Sequence, residues 1–443
     1  MLGRCAGRIA TILIVLAIVG GLLAGCGRHA STSATQYDAS VATGWFDLYL
    51  DLVQSTPGFT PPVASRAFGY AGVTLYEAIV PGMPWYQSLA GQLNGLSPLP
   101  RPESGAEYHW PAVANSALAS ITRQLFANTT AENRSAIDAL EESFASQFES
   151  TLDPAVFQRS VARGQAIADA IFAWSTSDGG HEGYLVNFPS DFTPITGPGK
   201  WVPTAPNFST CMLPHWGENR PFVLESGKEC APGAPPPYSE DPASEFYAQA
   251  KEVYDTVNQL TPEQMEIAQF WADNPGQTAT PPGHSLSIAS QVLKQENASL
   301  AKAAETYAKV GIAVADAFIG CWNTKYEYSL LRPISYIQQV IDPNWTSPIV
   351  TPPFPEYTSG HSVQSAAAAQ VLTDLFGDNY VFTDHTHDER GLAPRTFESF
   401  FDAADEAAIS RLYGGIHYRA AIEKGLEQGK CIGQQVSAIE FRQ

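Results

Sequence analysis

The chain has 443 residues, 44% hydrophobic, 16% charged and 11% aromatic, which suits a large buried core and excludes a disordered polymer. Its 25 Lys and Arg stand against 45 Asp and Glu, a formal charge of −20, which excludes a nucleic-acid-binding surface and a polybasic membrane patch. Any anionic ligand must be held by a local group of cations working against the field of the whole chain.

At the start of the chain, Arg4 and Arg8 precede an apolar run over residues 9–25 that ends in Leu23-Ala24-Gly25-Cys26. A basic start, a short apolar stretch and small residues before a cut site mark a secretory signal. Leu-Ala-Gly-Cys resembles the bacterial lipoprotein box, which implies lipidation of Cys26 and export to the bacterial cell envelope, anchored to its membrane. The expected organisation is a lipoprotein signal peptide over residues 1–25, a small, polar, flexible tether over 26–36, and one large helical domain over 37–443. Cys211, Cys230, Cys321 and Cys431 then remain for an oxidising compartment. Cys211 and Cys230 bracket a loop-rich stretch and are the expected disulfide, while Cys321, on an apolar helical face, reads as a buried thiol.

Apolar residues then recur at three- and four-residue intervals over residues 40–52, 64–79, 110–126, 131–147 and 154–175. The pattern returns over 239–257, 263–272, 287–321, 362–376, 403–412 and 423–441, and predicts a helix in each. Before Cys321, Leu300, Ala304, Tyr307, Val310, Val314 and Phe318 trace one stripe. Period-two patterns are scarce. The fold class is therefore all-α: a helical bundle, drawn as two packed four-helix-type bundles with long Pro/Gly-rich loops. Residues 176–238 are too long for a structureless connector and are expected to face the substrate.

Three segments within residues 322–419 concentrate the chemistry. In the first, Lys325 and Arg332 are seven apart, which on a helix puts both cations on one face, and Pro333 is expected to end that helix. In the second, a Pro-rich loop enters an Ala-rich helix through Thr358-Ser359-Gly360-His361. Free N–H groups at such a helix start suit an anion, Ser359 adds a hydroxyl, and His361 can act as acid or base beside it. In the third, Arg411 stands at a helix end, followed by Gly414-Gly415 and His417, a compact anion clasp.

Taken in order, Lys-x6-Arg-Pro, Ser-Gly-His and Ser-Arg-x5-His resemble the three-part signature of the vanadium-dependent haloperoxidases and type-2 phosphatidic acid phosphatases. The likeness is to the bacterial haloperoxidase-like branch, with Thr358 where the pattern has Pro. A looser likeness extends upstream through Ser65-Arg66-Ala67, Tyr76-Glu77-Ala78, Trp201-Val202-Pro203-Thr204, Phe270-Trp271 and Thr280-Pro281-Pro282-Gly283-His284. The resemblance implies that Lys325, Arg332, Ser359, the Gly360 N–H and Arg411 cradle the oxygens of vanadate, a cofactor for which phosphate competes. It makes His417 the apical ligand of the metal, His361 the acid–base residue, and Lys325 the group that polarises peroxide. Hydrogen peroxide then oxidises a halide, giving hypohalous acid or a halogenated small organic acceptor. Trp322 and Phe354 stand where the chloroperoxidase-type enzymes have halide-side aromatics.

The same pocket suits a soluble acid phosphatase, with His417 attacking a phosphomonoester and His361 protonating the leaving oxygen. Without turnover it would make a non-catalytic oxyanion-binding lipoprotein. One departure bears on affinity: the family has Phe-Asp where this chain reads Ala420-Ala421 after His417-Tyr418-Arg419, and Glu423 is out of register by two.

Elsewhere, Asp384-His385-Thr386-His387-Asp388-Glu389 reads as a solvated polar loop, with a divalent ion on His385 and His387 as the alternative. His181 and His284 read as loop-packing residues, with a place at the pocket mouth as the alternative.

Overall fold

The structure is a computed structural model that describes residues 32–443; the expected signal peptide, Cys26 and most of the tether lie outside the described residues. The end of the expected tether is ordered: Ala34–Gln36 form a 3-10 turn with Ala34 buried.

The architecture is all-α. Helices α1 (Ser40–Ser55), α2 (Pro61–Ile79), α3 (Trp110–Leu125), α4 (Ala131–Glu149) and α5 (Pro154–Ser175) pack into a first bundle. A long excursion follows, then α6 (Glu245–Asn258), α7 (Pro262–Phe270), α8 (Thr280–Gln295), α9 (Leu300–Tyr328) and α10 (Pro333–Val340). The chain closes with α11 (Gly360–Phe376), α12 (Phe400–Tyr413) and α13 (Arg419–Ser437). Between α11 and α12, β1 (Phe382–Asp384) pairs antiparallel with β2 (Arg395–Phe397). Helices α8, α9, α11, α12 and α13 form the second bundle.

The predicted helix over 287–321 is two helices. Asn297 adopts a left-handed conformation, and Ser299 caps α9 by accepting from Lys302 N at 3.2 Å, so the chain turns between α8 and α9. The stripe from Leu300 to Phe318 is buried as expected, but α9 is enclosed on its other faces too, because α2, α8, α11 and α13 all pack on it.

Two glycine contacts set the packing that builds the site. A Cβ on Gly311 of α9 would lie 2.6 Å from Phe68 O of α2, so only glycine lets the central helices of the two bundles meet this closely. On α13, a Cβ at Gly429 would lie 2.1 Å from Val363 O, which lets α13 press against α11 just behind the α11 N-terminus. Any larger residue at Gly429 would push the segment before α13 away from the start of α11.

The excursion over 176–238 is pinned, not loose. Asp316, fully buried on α9, accepts from the backbone N–H of Phe222 (2.7 Å), Val223 (2.9 Å) and Leu224 (3.3 Å). Met212 O accepts from Trp322 Nε1 at 3.2 Å and Tyr326 Oη at 2.6 Å. The expected Cys211–Cys230 disulfide does not form. Cys230 pairs with Cys431 on α13, while Cys211 and Cys321 are buried free thiols. The reason is packing: the turn carrying Cys230 folds onto α9, where a Cβ on Gly227 would lie 3.0 Å from Asn323 Cβ, and α13 packs on that same helix.

Candidate active site

Helix α9 ends at Tyr328, with Ser329 in the left-handed region, so Lys325 and Arg332 do not share one helical face as predicted. Pro333 opens α10 instead of ending α9. It lacks an N–H and has a helical φ, which suits a first helical position, and it holds Arg332 extended (ψ 154°) as the cap. The two cations still converge, because the Phe354 ring lies 5.1 Å from Lys325 Nζ and 4.9 Å from Arg332 Cζ.

Arg332 is fully buried. Its Nε donates to Phe354 O at 2.9 Å, and Nη1 donates to Ile416 O at 2.9 Å and to His417 Nε2 at 3.1 Å. Its Nη2 is buried without a partner. Lys325 Nζ spends its three donors on the carbonyls of Pro355 (3.0 Å), Glu356 (3.0 Å) and Thr358, so it clamps the loop that leads into α11.

Ser359 caps α11 by accepting from Ser362 N at 3.3 Å, and Gly360 takes the first helical position, where N–H groups have no partner in the helix. His361 follows; it bonds to the Trp271 backbone, and its Nε2 is left without a partner. Arg411, on the last turn of α12, anchors Nε on Ser410 Oγ (2.9 Å) and Nη2 on Ala268 O (3.3 Å).

His417 lies between α12 and α13. Its Nδ1 is 2.8 Å from Glu356 Oε1, which also accepts from Tyr418 N at 2.8 Å. With Nδ1–H donating to the carboxylate, Nε2 carries the lone pair and accepts from Arg332. Glu356 thus supplies a carboxylate at His417 from another segment, although Ala421 stands where the family has Asp. Glu423 does not fill that role: it lies 3.9 Å from Arg419 on the surface.

Electrostatics follow from burial. It pushes Lys325 down to about 8 and the Arg332 and Arg411 guanidinia down to about 10, so all three stay largely charged at neutral pH. It lifts Glu356 to about 7, against the opposing pull of Arg332. His361 is held well below its ordinary value by burial and by Arg411, and His417 by burial, Arg332 and Lys325, so both imidazoles are neutral.

A cavity of about 310 Å³ reaches this centre. Trp322, Phe354, Gly360, His361, Arg411 and His417 line it, with Phe188, Thr204 and Met212 contributed by the excursion. Residues 176–238 therefore do form part of the cavity wall. Lys325, Arg332 and Ser359 lie in the fully buried layer behind. Trp322 and Phe354 pack with ring centroids 4.9 Å apart.

The three segments thus meet at one centre, but sequence reasoning missed two carboxylates there. Glu356 sits inside the second segment, three before Ser359, and that position was its only signal. Asp273 lines the cavity from the turn after α7 and faces His361 and Arg411 electrostatically.

Two expectations change. Asp384 and His387 are buried, so only part of the 384–389 segment is a solvated loop; His385 and Asp388 pair on its surface at 2.8 Å. His284 belongs to α8 and is buried between carboxylates, Nδ1 2.9 Å from Asp273 Oδ2 and Nε2 2.7 Å from Asp384 Oδ2. Burial opposes its charge, but the two carboxylates prevail and raise it to about 10. His181 packs edge-on against Phe172, away from the cavity lining.

Residues 305–442 match the family described as VCPO second helical-bundle domain. The vanadium chloroperoxidase of Curvularia inaequalis is 23% identical over 484 residues, covering 87% of this chain and 79% of that protein. A holo-type bacterial vanadium-dependent chloroperoxidase shares the fold, with a TM-score of 0.68 and 15% identity over 87% of this chain and 92% of that one. The first bacterial vanadium-dependent iodoperoxidase superposes with a TM-score of 0.83 and 41% identity, over 90% of this chain and 96% of its own. At that identity and coverage, the chain belongs to the vanadium-dependent haloperoxidase family.

Proposed function

We propose that this protein holds vanadate at His417 and oxidises a halide with hydrogen peroxide. One observation carries the reading: the lone pair of His417 Nε2 is set by the Nδ1–Glu356 bond and meets a buried guanidinium with an unpartnered nitrogen. The residues fit an oxyanion with one imidazole ligand. Arg332, Arg411 and the Gly360 N–H would hold its oxygens, and Ser359 and Lys325 would support them from behind. Bound there, vanadate supplies a Lewis acid for hydrogen peroxide.

The protein's part is then proton handling and exclusion of water. His361, kept neutral and with Nε2 free, would accept a proton from hydrogen peroxide and return it to the oxygen that leaves as water. Arg332 and Arg411 offset anionic charge, and Lys325 adds a buried positive charge while fixing the loop that carries Glu356. Trp322 and Phe354 give the halide a dry apolar approach. The balance is hydrogen peroxide, halide and a proton going to hypohalous acid and water, with a small organic acceptor optional.

The test is peroxidation of iodide, bromide and chloride by dialysed protein with and without orthovanadate, beside hydrolysis of phenyl phosphate. Vanadate-activated halide oxidation supports this reading. Hydrolysis that vanadate inhibits makes the protein a phosphomonoesterase in the same pocket, and oxyanion binding with neither activity makes it a binding lipoprotein.

We also propose lipid anchoring at Cys26 on the outer side of the envelope membrane. The Cys230–Cys431 disulfide supports an oxidising compartment, and no helix among the described residues is long and apolar enough to cross a membrane. Cys26→Ser is expected to move the protein from the membrane to the soluble fraction.

A further inference from the structure

Two motifs that the anion site does not use meet in the interior. His284, from Thr280-Pro281-Pro282-Gly283-His284, and His387, from the Asp384–Glu389 segment, converge on Asp273 at the cavity wall. Nδ1 of His284 lies 2.9 Å from Asp273 Oδ2, and Nε2 of His387 lies 3.1 Å from Asp273 Oδ1. One ligand atom from each of the three residues falls within 4.8 Å of the others, and all three side chains are at most 2% exposed.

We propose that Asp273, His284 and His387 form a binding site for a divalent cation of the zinc class, beside the vanadate site whose cavity Asp273 also lines. Asp273 Oδ1 and His387 Nε2 face each other at 3.1 Å and have no other partner, so a carboxylate oxygen and an imidazole nitrogen meet at one buried point. Two imidazoles and a carboxylate are a zinc-type donor set that leaves a fourth position open.

The groups behind the donors are those a metal-bound imidazole uses. His284 Nε2 donates to Asp384 Oδ2 at 2.7 Å, which fixes the tautomer with Nδ1 toward Asp273. Asp384 is held in turn by Thr386 N (2.9 Å), Thr386 Oγ1 (2.6 Å) and Gln291 Nε2 (3.3 Å). Trp271 stacks on His284 at 4.4 Å and Phe270 packs on His387 at 5.2 Å, closing the site in aromatic rings.

Charge here is balanced by a proton that a cation can replace. Asp273 and Asp384 hold His284 between them as an imidazolium, and Arg411 from α12 and neutral His361 from α11 face Asp273. Metal binding displaces the proton that His284 Nδ1 otherwise carries, and that proton leaves to solvent. An oxyanion is repelled by the same carboxylates. The cation would tie the β1–β2 hairpin to α8 and to the Asp273 wall of the cavity.

The test uses tag-free full chain loaded with zinc or cobalt chloride, dialysed, and read by elemental analysis without vanadate, so its outcome is independent of the haloperoxidase reading. The expected result is one metal per chain, visible d–d bands for cobalt, and a melting temperature that falls by several degrees on chelation. His387→Gln is expected to weaken binding at least tenfold while melting cooperatively, and His385→Gln, on the surface, to leave it unchanged. Wild-type protein that retains no zinc or cobalt, or a His387→Gln variant that retains as much as wild type, overturns the assignment.

Discussion

His417 and Glu356 form a buried pair, Nδ1 to Oε1 at 2.8 Å, that joins the segment before α13 to the loop before α11. Glu356 has no solvent exposure, and its backbone carbonyl is held by Lys325. The carboxylate therefore comes from a rigid loop, and it decides which nitrogen of His417 faces the anion site.

Removing that carboxylate should cost cofactor affinity before it costs the fold. Glu356→Ala is expected to weaken orthovanadate binding about 10- to 100-fold, as loss of a partner behind a metal ligand does elsewhere. Glu356→Gln keeps an acceptor and should lose less. Equilibrium dialysis gives the affinities and thermal melting verifies the fold; wild-type affinity in Glu356→Ala would contradict the role.

Arg411 donates from a planar fork anchored on Ser410 and Ala268. Arg411→Lys keeps the charge and loses the fork, and should weaken vanadate binding by roughly 1.5–3 kcal/mol. A titration of apoprotein with orthovanadate reads this directly.

The Cys230–Cys431 bond joins positions 201 apart in sequence. Cys431→Ser is expected to lower stability by about 2–5 kcal/mol, while Cys211→Ser should leave the bond in place. Denaturant melts and alkylation under non-reducing conditions separate the two; a Cys431→Ser variant as stable as wild type would remove the disulfide from the account.

His109 caps α3 through Nδ1, which accepts from Ala112 N at 3.3 Å, and burial lowers its pKa from 6.5 to about 4. Between those values the unfolded chain binds more protons than the folded one, so this residue's contribution to stability rises with pH and is lost as pH falls from 6.5 toward 4. With its partial exposure, the effect is on the order of 1–2 kcal/mol. His109→Asn keeps a cap that does not titrate, and its stability should fall less steeply over that range.

The fold class and the centre of the site were legible because their signals are local. A three- to four-residue apolar rhythm marks a helix wherever it occurs, and Arg411 at a helix end or Ser359 at a helix start shows its use in a few neighbouring residues. Pro333 misled because a proline both ends one helix and begins the next, and only tertiary packing chose α10. Glu356 is one acid among 45, and nothing nearby shows that His417 will fold onto it. The partners His284 and Asp384 are 100 residues apart, and each motif alone looks like an ordinary loop. The disulfide failed as a prediction for the same reason, since nearness in sequence stood in for nearness in space.

The most direct measurement is the vanadium absorption-edge spectrum of protein reconstituted with orthovanadate, taken together with iodide-dependent peroxidation of the same sample. The expected result is one imidazole nitrogen bound to vanadium in the wild type, lost along with peroxidation in His417→Ala. An unchanged imidazole signal, or undiminished peroxidation, in His417→Ala would contradict the placement of the cofactor at His417.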